Sequence, residues 1–232
     1  MNDWFQFFLS PAGGTWSSDE IEILMNPTLS ELLDTITDIE EADYDFLITV
    51  FSGHGWEVDD ETILSINWQN ETIGLSELTN LSERQLLLID CCRGSELLPD
   101  DEAFIETGTA LSLSQDTIRQ AYERRILDSI PQEVILFACD EDEPAGDSRM
   151  GGIYAQYLLD ATEMELTKSR SPFITVGKAH RCAVQLMRQD SDVAQHPQIR
   201  QPLCGLYRRL PLAINPNFWQ TEQSQNTFTL SR

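Results

Sequence analysis

The chain has 232 residues, of which 41% are hydrophobic, and its 39 acidic and 15 basic residues give a formal net charge of −24. This length and apolar content are sufficient for a packed core and argue against a disordered chain. The acidic excess argues against binding to nucleic acid or anionic membranes and favours basic partners or substrates. No Lys or Arg precedes Arg84. The only cationic side chain that the first third of the chain can contribute to a binding site is therefore a protonated His54.

The first part of the chain predicts strands joined by a helix and a hairpin. Apolar runs of strand length lie at 4–9, 21–25, 45–51 and 85–91. Between them, 27–42 has the spacing of an amphipathic helix, with Thr28 and Ser30 as capping candidates. The segment 61–78 alternates apolar and polar residues, which predicts a surface hairpin with a turn near Gln69–Asn70.

The second part continues the alternation of helices and strands. A strand is predicted at 133–139 and a weaker one at 207–214, with helices at 112–130, 151–166 and 175–190. Several strands are apolar on both faces, which is typical of strands covered on both sides. We therefore predict one α/β domain with a mostly parallel central sheet of about six strands, flanked by helices on both faces.

The cysteines and the amino terminus indicate a reducing compartment. Five cysteines make an odd count without compact spacing, which argues against a disulfide scaffold and a zinc site. The opening segment "MNDWFQFFLS" lacks a basic flank and is too short for a signal peptide or a membrane span. We expect a cytoplasmic protein.

Two motifs end neighbouring predicted strands: "FSGHG" at 51–55 and "LLLIDCCRG" at 86–94. Reactive groups usually emerge at the carboxyl ends of such strands, so His54 and the cysteine pair are expected at one edge of the sheet. A histidine base helps a thiol to form the nucleophilic thiolate, and flanking glycines allow close approach and free N–H groups for an oxyanion. Singly, each residue is more often structural; together they permit a Cys–His dyad.

These motifs resemble the His and Cys motifs of the caspase-like peptidases, the caspases and metacaspases, and are closest to the short bacterial members. The caspase signature places the cysteine in Q-A-C-[RQG]-G about 50 residues after the histidine; this chain has D-C-C-R-G at a shorter spacing. The stretches "ILFACDEDEPAGDS", "GGIYAQYLL" and "QHPQ" extend the resemblance to nearly the whole chain.

The resemblance implies a caspase-like fold in a single domain, 1–232. A large-subunit-like part would span about 1–95, a processing region 96–132, a small-subunit-like part 133–215 and a loose tail 216–232.

By position, the resemblance makes Cys92 the nucleophile and His54 the general base and acid. Cys91 is the alternative nucleophile and is expected to point into the sheet. The N–H groups of Gly55 and Cys92 would form the oxyanion hole.

Substrate preference follows from the same resemblance. Caspases that cleave after Asp use arginines, one of them early in the chain, and this sequence has none before Arg84. Metacaspases hold Arg or Lys with acidic groups, including the Asp two residues before the nucleophile, here Asp90. Asp140, Asp142 and Asp147 are further candidates, although an acidic run can also be a solvated surface. The resemblance thus implies cleavage after Arg or Lys, with Asp90 as a turn-capping residue the alternative.

The resemblance also bears on regulation and cofactors. Candidate self-cleavage sites are Arg124, Arg125 and Arg149, with exposed helix arginines as the alternative for the first two. Metacaspases often need calcium, but the "GWEVDDET" stretch does not offer the six or more oxygen ligands of a good calcium site. We therefore expect no metal or other cofactor.

Short bacterial relatives act as proteolytic effectors in stress or antiviral defence and are commonly switched on by a partner or an activating protease. The expected partners are therefore protein or peptide substrates with basic residues and an activator of this kind, with neither nucleic acid nor membrane. The alternatives are a catalytically silent caspase-fold module that binds proteins, a peptidase with another preference, or a small-molecule cysteine hydrolase.

Overall fold

The computed structural model describes residues 2–94, 115–148, 151–205 and 208–219. The helices in these ranges are α1 (Asn2–Leu9), α2 (Leu29–Ala42), α3 (Gln115–Leu127), α4 (Ile153–Lys168) and α5 (Val176–Met187). The strands are β1 (Leu47–Ser52), β2 (His54–Val58), β3 (Glu61–Ser65), β4 (Thr72–Gly74), β5 (Arg84–Asp90), β6 (Gln132–Phe137), β7 (Asp147–Ser148), β8 (Gly151–Gly152), β9 (Phe173–Thr175), β10 (Gln198–Arg200) and β11 (Pro211–Ile214). No helix in the described ranges is both long and apolar enough to span a bilayer.

The central sheet has the strand order β1-β5-β6-β10. Strands β1, β5 and β6 are parallel, and β10 joins β6 antiparallel at the edge. All seven residues of β5 are buried, as expected for a strand covered on both faces. The predicted α/β class with a mostly parallel sheet is confirmed, but this sheet has four strands instead of about six.

Alternate residues of β5 and β6 face two different cores. Leu86, Leu88 and Val134 pack on one face with α1, α4 and α5. Leu87 and Ile89 face the other core, with α2 and the small antiparallel sheet β2-β3-β4. The prediction of helices on both faces is confirmed, although α2 shares its face with this small sheet.

The segment predicted as a strand at 4–9 is part of helix α1, and this prediction was wrong. Trp4 and Phe8 are four residues apart, their rings lie 5.6 Å apart, and both are buried against the central sheet. A short apolar run fits a buried helix as well as a buried strand, so periodicity alone did not separate the two.

Two further strands of the expected sheet do not belong to it. The segment 21–25 lies outside any helix or strand of the described ranges, with Ile23 and Met25 exposed. The run 207–214 contains β11, which pairs antiparallel with β9 in a separate two-stranded sheet. The side chains of β11 are all buried. This burial explains why the segment is apolar although it does not pair with the central sheet.

The hairpin and the helix predictions are confirmed. Strands β3 and β4 pair antiparallel, and Asn70 adopts a left-handed φ of 60° in their connection. Helix α2 begins after Thr28, whose side chain accepts the N–H of Glu31 while Glu31 accepts the N–H of Thr28. This capping box satisfies two amides that the helix itself leaves without partners.

Candidate active site

The segments that carry His54 and Cys92 leave the sheet side by side. Strands β1 and β5 are parallel neighbours, with Ser52 opposite Asp90. One residue later, the N–H of Gly53 donates to the carbonyl of Asp90 at 3.2 Å. His54 then begins β2 with its side chain exposed, and β2 pairs with β3.

Gly55 brings β2 into direct contact with the cysteine pair. A Cβ at this position would lie 2.5 Å from Cys91 Sγ and 3.1 Å from Cys91 Cβ, closer than real side chains approach. The glycine after the histidine is therefore required for close approach of the backbone to Cys91. Because side chains alternate along a strand, His54 projects from the opposite face of β2 to the one that meets Cys91.

The two adjacent cysteines lie in different environments. Cys91 is 2% exposed, packs in the core that faces α2, and has its pKa raised far above the ordinary thiol value by burial. Cys92 is only half-buried, and its Sγ accepts the N–H of Ala145 at 3.3 Å. An N–H donor at this distance stabilises negative charge on sulfur. Cys92 is therefore the accessible thiol of the pair.

A third thiol, that of Cys139, lies beneath the loop that follows β6. It is buried and donates to the carbonyls of Cys91 and Glu143, and burial raises the pKa of Cys139 to about 12. It is therefore a protonated structural group at neutral pH.

Asp90 lies at the carboxyl end of β5 and is 5% exposed. It lines a cleft with Asp3 and Trp4 of α1 and with Gln156 of α4. A Cβ at Gly152 would overlap the Asp90 carboxylate, so the backbone of Gly152 lies directly against it. Asp90 is thus a covered acidic group, and the amino-terminal helix forms part of the wall around it.

The other acidic candidates lie in different places. Asp140 is exposed and lines a separate groove with the acidic side chains of Glu57, Asp60 and Glu141. Asp142 is exposed, with a left-handed φ of 61°. Asp147 belongs to β7 and pairs with Gly152, the residue that covers Asp90. The structure therefore brings the backbone of Asp147 close to Asp90 but does not bring Asp140 there.

Two of the candidate self-cleavage sites lie in the last turn of α3. Arg124 is exposed, whereas Arg125 donates to the Ser129 hydroxyl at 2.8 Å and to the Arg209 carbonyl at 2.6 Å. Cleavage at either position needs local unfolding of the helix, because a peptidase binds its substrate as an extended chain. Arg149 lies outside the described residues.

Within the described ranges, no group of three or more His, Cys, Asp or Glu side chains is placed to hold a metal ion. Asp59 and Asp60 form the turn between β2 and β3 with left-handed φ values of 49° and 65°. Glu61 accepts the N–H of Ser76 at 2.7 Å. The acidic stretch after the histidine motif therefore forms a turn, through Asp59 and Asp60, and a hydrogen bond to Ser76, through Glu61.

Sequence reasoning missed three residues near the site. Asp3 and Trp4 line the cleft of Asp90, and they were missed because the run 4–9, which begins at Trp4, was predicted as a strand. Arg93 was visible in the cysteine motif, but its ion pair with Glu57 is not encoded in any local spacing.

Comparisons with known proteins assign the chain to a family. A family model described as the caspase domain matches residues 3–206, which is most of the chain. No curated protein matches the sequence. Among solved structures, one protein from Geobacter sulfurreducens is similar at 16% identity, over 79% of this chain and 77% of that chain, with a TM-score of 0.49. From the match over residues 3–206, the chain belongs to the caspase-domain peptidase family.

Proposed function

We propose that this protein is a cysteine endopeptidase that uses Cys92 and His54 to cut proteins after Arg or Lys. The observation that carries the proposal is the contact between Gly55 and Cys91, because it sets the histidine strand beside the half-buried Cys92. The buried Cys91 does not suit the same role, since burial disfavours its thiolate.

The proposed chemistry follows from these positions. His54 takes the proton of the Cys92 thiol, and the sulfur attacks the scissile carbonyl to form a tetrahedral intermediate. The N–H groups of Gly55 and Cys92 stabilise the oxyanion. His54 then gives the proton to the leaving amine, which leaves an acyl group on Cys92. Water, deprotonated by His54, hydrolyses this thioester and restores the thiol.

The preference for basic residues rests on the cleft of Asp90. Asp90 and Asp3 line it together, and paired carboxylates favour a guanidinium or an ammonium group over an acidic side chain. Gly152 lies against the Asp90 carboxylate, so a substrate side chain reaches this group only when Gly152 shifts. Asp142 and Asp147 remain further candidates for holding the basic side chain, and Asp140 belongs to a separate groove.

The test is hydrolysis of matched fluorogenic peptides with Arg, Lys or Asp before the scissile bond, with added calcium and with chelator. We expect turnover of the Arg and Lys peptides in both conditions and a loss of at least about 1,000-fold in Cys92→Ala. Cys91→Ala is the matched control and retains activity. Turnover of the Asp peptide would contradict the Asp90 pocket but keep the dyad.

Activation is the second part of the proposal. We propose a zymogen, in a reducing compartment, that is switched on by cleavage or by a partner as a regulated effector. Incubating the active enzyme with its own Cys92→Ala variant and mapping the fragments by mass spectrometry tests this idea. Cuts after Arg124, Arg125 or Arg149 are expected. Absence of cuts together with absence of turnover in every condition would leave either a zymogen without its activator or a silent protein-binding module.

A further inference from the structure

Arg93, the residue after Cys92, is a buried cation with two acidic partners. It is 6% exposed, and its Nε donates to Glu57 Oε2 at 3.1 Å. Its Nη2 donates to Glu141 Oε1 at 3.3 Å, and its guanidinium lies 4.3 Å from the centre of the Phe137 ring. The side chain is therefore fixed from three directions, by β2, by the loop after β6 and by β6 itself.

The contact with Glu57 sets the register of the histidine strand. Gly55 touches Cys91, and two residues further along each segment Glu57 pairs with Arg93. Because these two contacts are two residues apart on both β2 and the cysteine segment, they fix a single alignment of β2 against that segment. A slip of one residue would exchange the two faces of β2 and turn His54 inward. The hydroxyl of Thr62 also donates to Glu57 Oε2 at 3.0 Å, which holds the carboxylate in place.

Arg93 also anchors the loop that contacts the Cys92 sulfur. Its N–H donates to the Glu143 carbonyl at 3.0 Å, and its carbonyl accepts the N–H of Asp142 at 3.3 Å. This loop continues to Ala145, whose N–H donates to Cys92 Sγ. One residue thus ties together the strand of His54, the segment of Cys92 and the loop that donates to the sulfur.

We propose that Arg93 is a positioning residue that holds His54 and Cys92 in catalytic register through its ion pair with Glu57. This inference rests on the proposed Cys–His chemistry. Only arginine supplies the function, because its planar fork pairs with two carboxylates while its flat face stacks on an aromatic ring. Lysine has neither the fork nor the flat face, so Arg93→Lys restores the charge but not the register.

The experiment compares Arg93→Met with Arg84→Met. Arg84 is the matched control, since it is also buried on the cysteine-bearing segment, at the opposite end of β5, where it donates to the Ser129 carbonyl at 3.0 Å and pairs with Glu83. For Arg93→Met we expect kcat to fall about 10- to 100-fold while KM changes less than about threefold. Arg84→Met is expected to lower the Tm but to keep kcat within about twofold.

A second readout does not depend on peptidase activity. The rate at which iodoacetamide alkylates Cys92 is followed against pH, with each cysteine resolved by mass spectrometry. We expect the Arg93→Met profile to move to higher pH, because the thiolate loses the aligned His54, whereas the main-chain hydrogen bonds of residue 93 to the loop of Ala145 remain. Arg93→Lys is expected to resemble Arg93→Met, and Arg84→Met to follow wild type.

Glu57→Gln keeps the proposal testable if Arg93→Met does not fold. This variant retains the shape of the side chain and removes its charge, and it is expected to lower kcat and shift the alkylation profile in the same direction. An unchanged kcat and an unchanged profile in the folded variants would overturn the positioning role, as would equal losses in Arg93→Met and Arg84→Met. If wild type alkylates normally but cuts no peptide, the proposed function fails, while the alkylation profiles still decide the role of Arg93.

Discussion

At the scale of single residues, the candidate site depends on a glycine at position 55. Gly55 has no Cβ, and this allows the backbone of β2 to lie against Cys91. Its φ is not in the left-handed region, so alanine is acceptable to the backbone and only the contact resists it. The same contact requires a small residue before Cys92, since both sides of the contact must be compact.

A double-mutant cycle tests this contact. Gly55→Ala is expected to destabilise the fold by about 1–3 kcal/mol through overpacking and to lower peptidase activity more than about tenfold. Cys91→Ala alone removes one buried sulfur and costs about 1 kcal/mol, with activity retained. In the double variant the missing sulfur leaves space for the added Cβ, so part of the lost stability is regained. The recovery of stability is incomplete because the Ile63 carbonyl still lies 3.0 Å from the added Cβ. Unfolding in denaturant measures the coupling, and strict additivity would contradict the contact.

At the scale of elements, helices α4 and α5 are joined inside the core by a hydrogen bond. Tyr154 and His180 are both buried, with Tyr154 Oη 2.8 Å from His180 Nδ1. Burial lowers the pKa of His180 from its ordinary 6.5 to about 4, with a smaller contribution from Arg181. The imidazole is therefore neutral in the folded protein at pH values where the unfolded chain already binds a proton.

The sign of the pH dependence follows from this shift. The contribution of His180 to stability is full above pH 6.5 and is lost as the pH falls from 6.5 towards 4, because the unfolded state takes up the proton first. Between pH 7 and pH 5 this amounts to about 2 kcal/mol. The His180→Gln variant keeps an acceptor for Tyr154. We expect its free energy of unfolding, measured by urea titration, to fall less steeply between pH 7 and pH 5 than that of wild type. Parallel slopes in the two proteins would contradict it.

The elements also show what the sequence could predict. Strand β5 is predictable because the run 85–91 is apolar on both faces, which is typical of a strand covered on both sides. Helix α1 is not, because the apolar run at 4–9 suits a buried helix or a strand equally. In the site, placing the two motifs at neighbouring strand ends follows from topology. The pair Arg93–Glu57 spans 36 residues and depends on how β2 lies against the cysteine segment, which no local pattern contains.

At the scale of the whole molecule, the net charge of −24 acts on stability and, under the proposed function, on the capture of basic substrates. Like charges repel each other in the folded state, and salt screens this repulsion as the Debye length falls from about 30 Å at 0.01 M to about 10 Å at 0.1 M. We expect added NaCl to raise the Tm by about 2–4 °C for each kcal/mol of relief. The same salt is expected to lower kcat/KM for basic peptides by weakening their electrostatic attraction.

Thermal melts and peptide kinetics across one series of NaCl concentrations check both effects, and KCl repeats them with another cation. A Tm that falls with salt would show that ion pairs outweigh the net repulsion. A kcat/KM that does not respond would show that the acidic surface plays no part in recruiting the substrate.

The contact of Gly152 with the Asp90 carboxylate has a consequence for inhibitor design. Under the proposed function, an arginine mimic aimed at this cleft competes with the protein's own backbone, so its measured affinity is expected to include the free energy of moving Gly152 aside. The apparent Kd is the intrinsic Kd divided by the fraction of molecules with an open cleft. The rate of association is limited by the rate at which the cleft opens. Such compounds will therefore show slow-onset inhibition with curved progress curves. Compounds that react at Cys92 without entering the cleft will act at once.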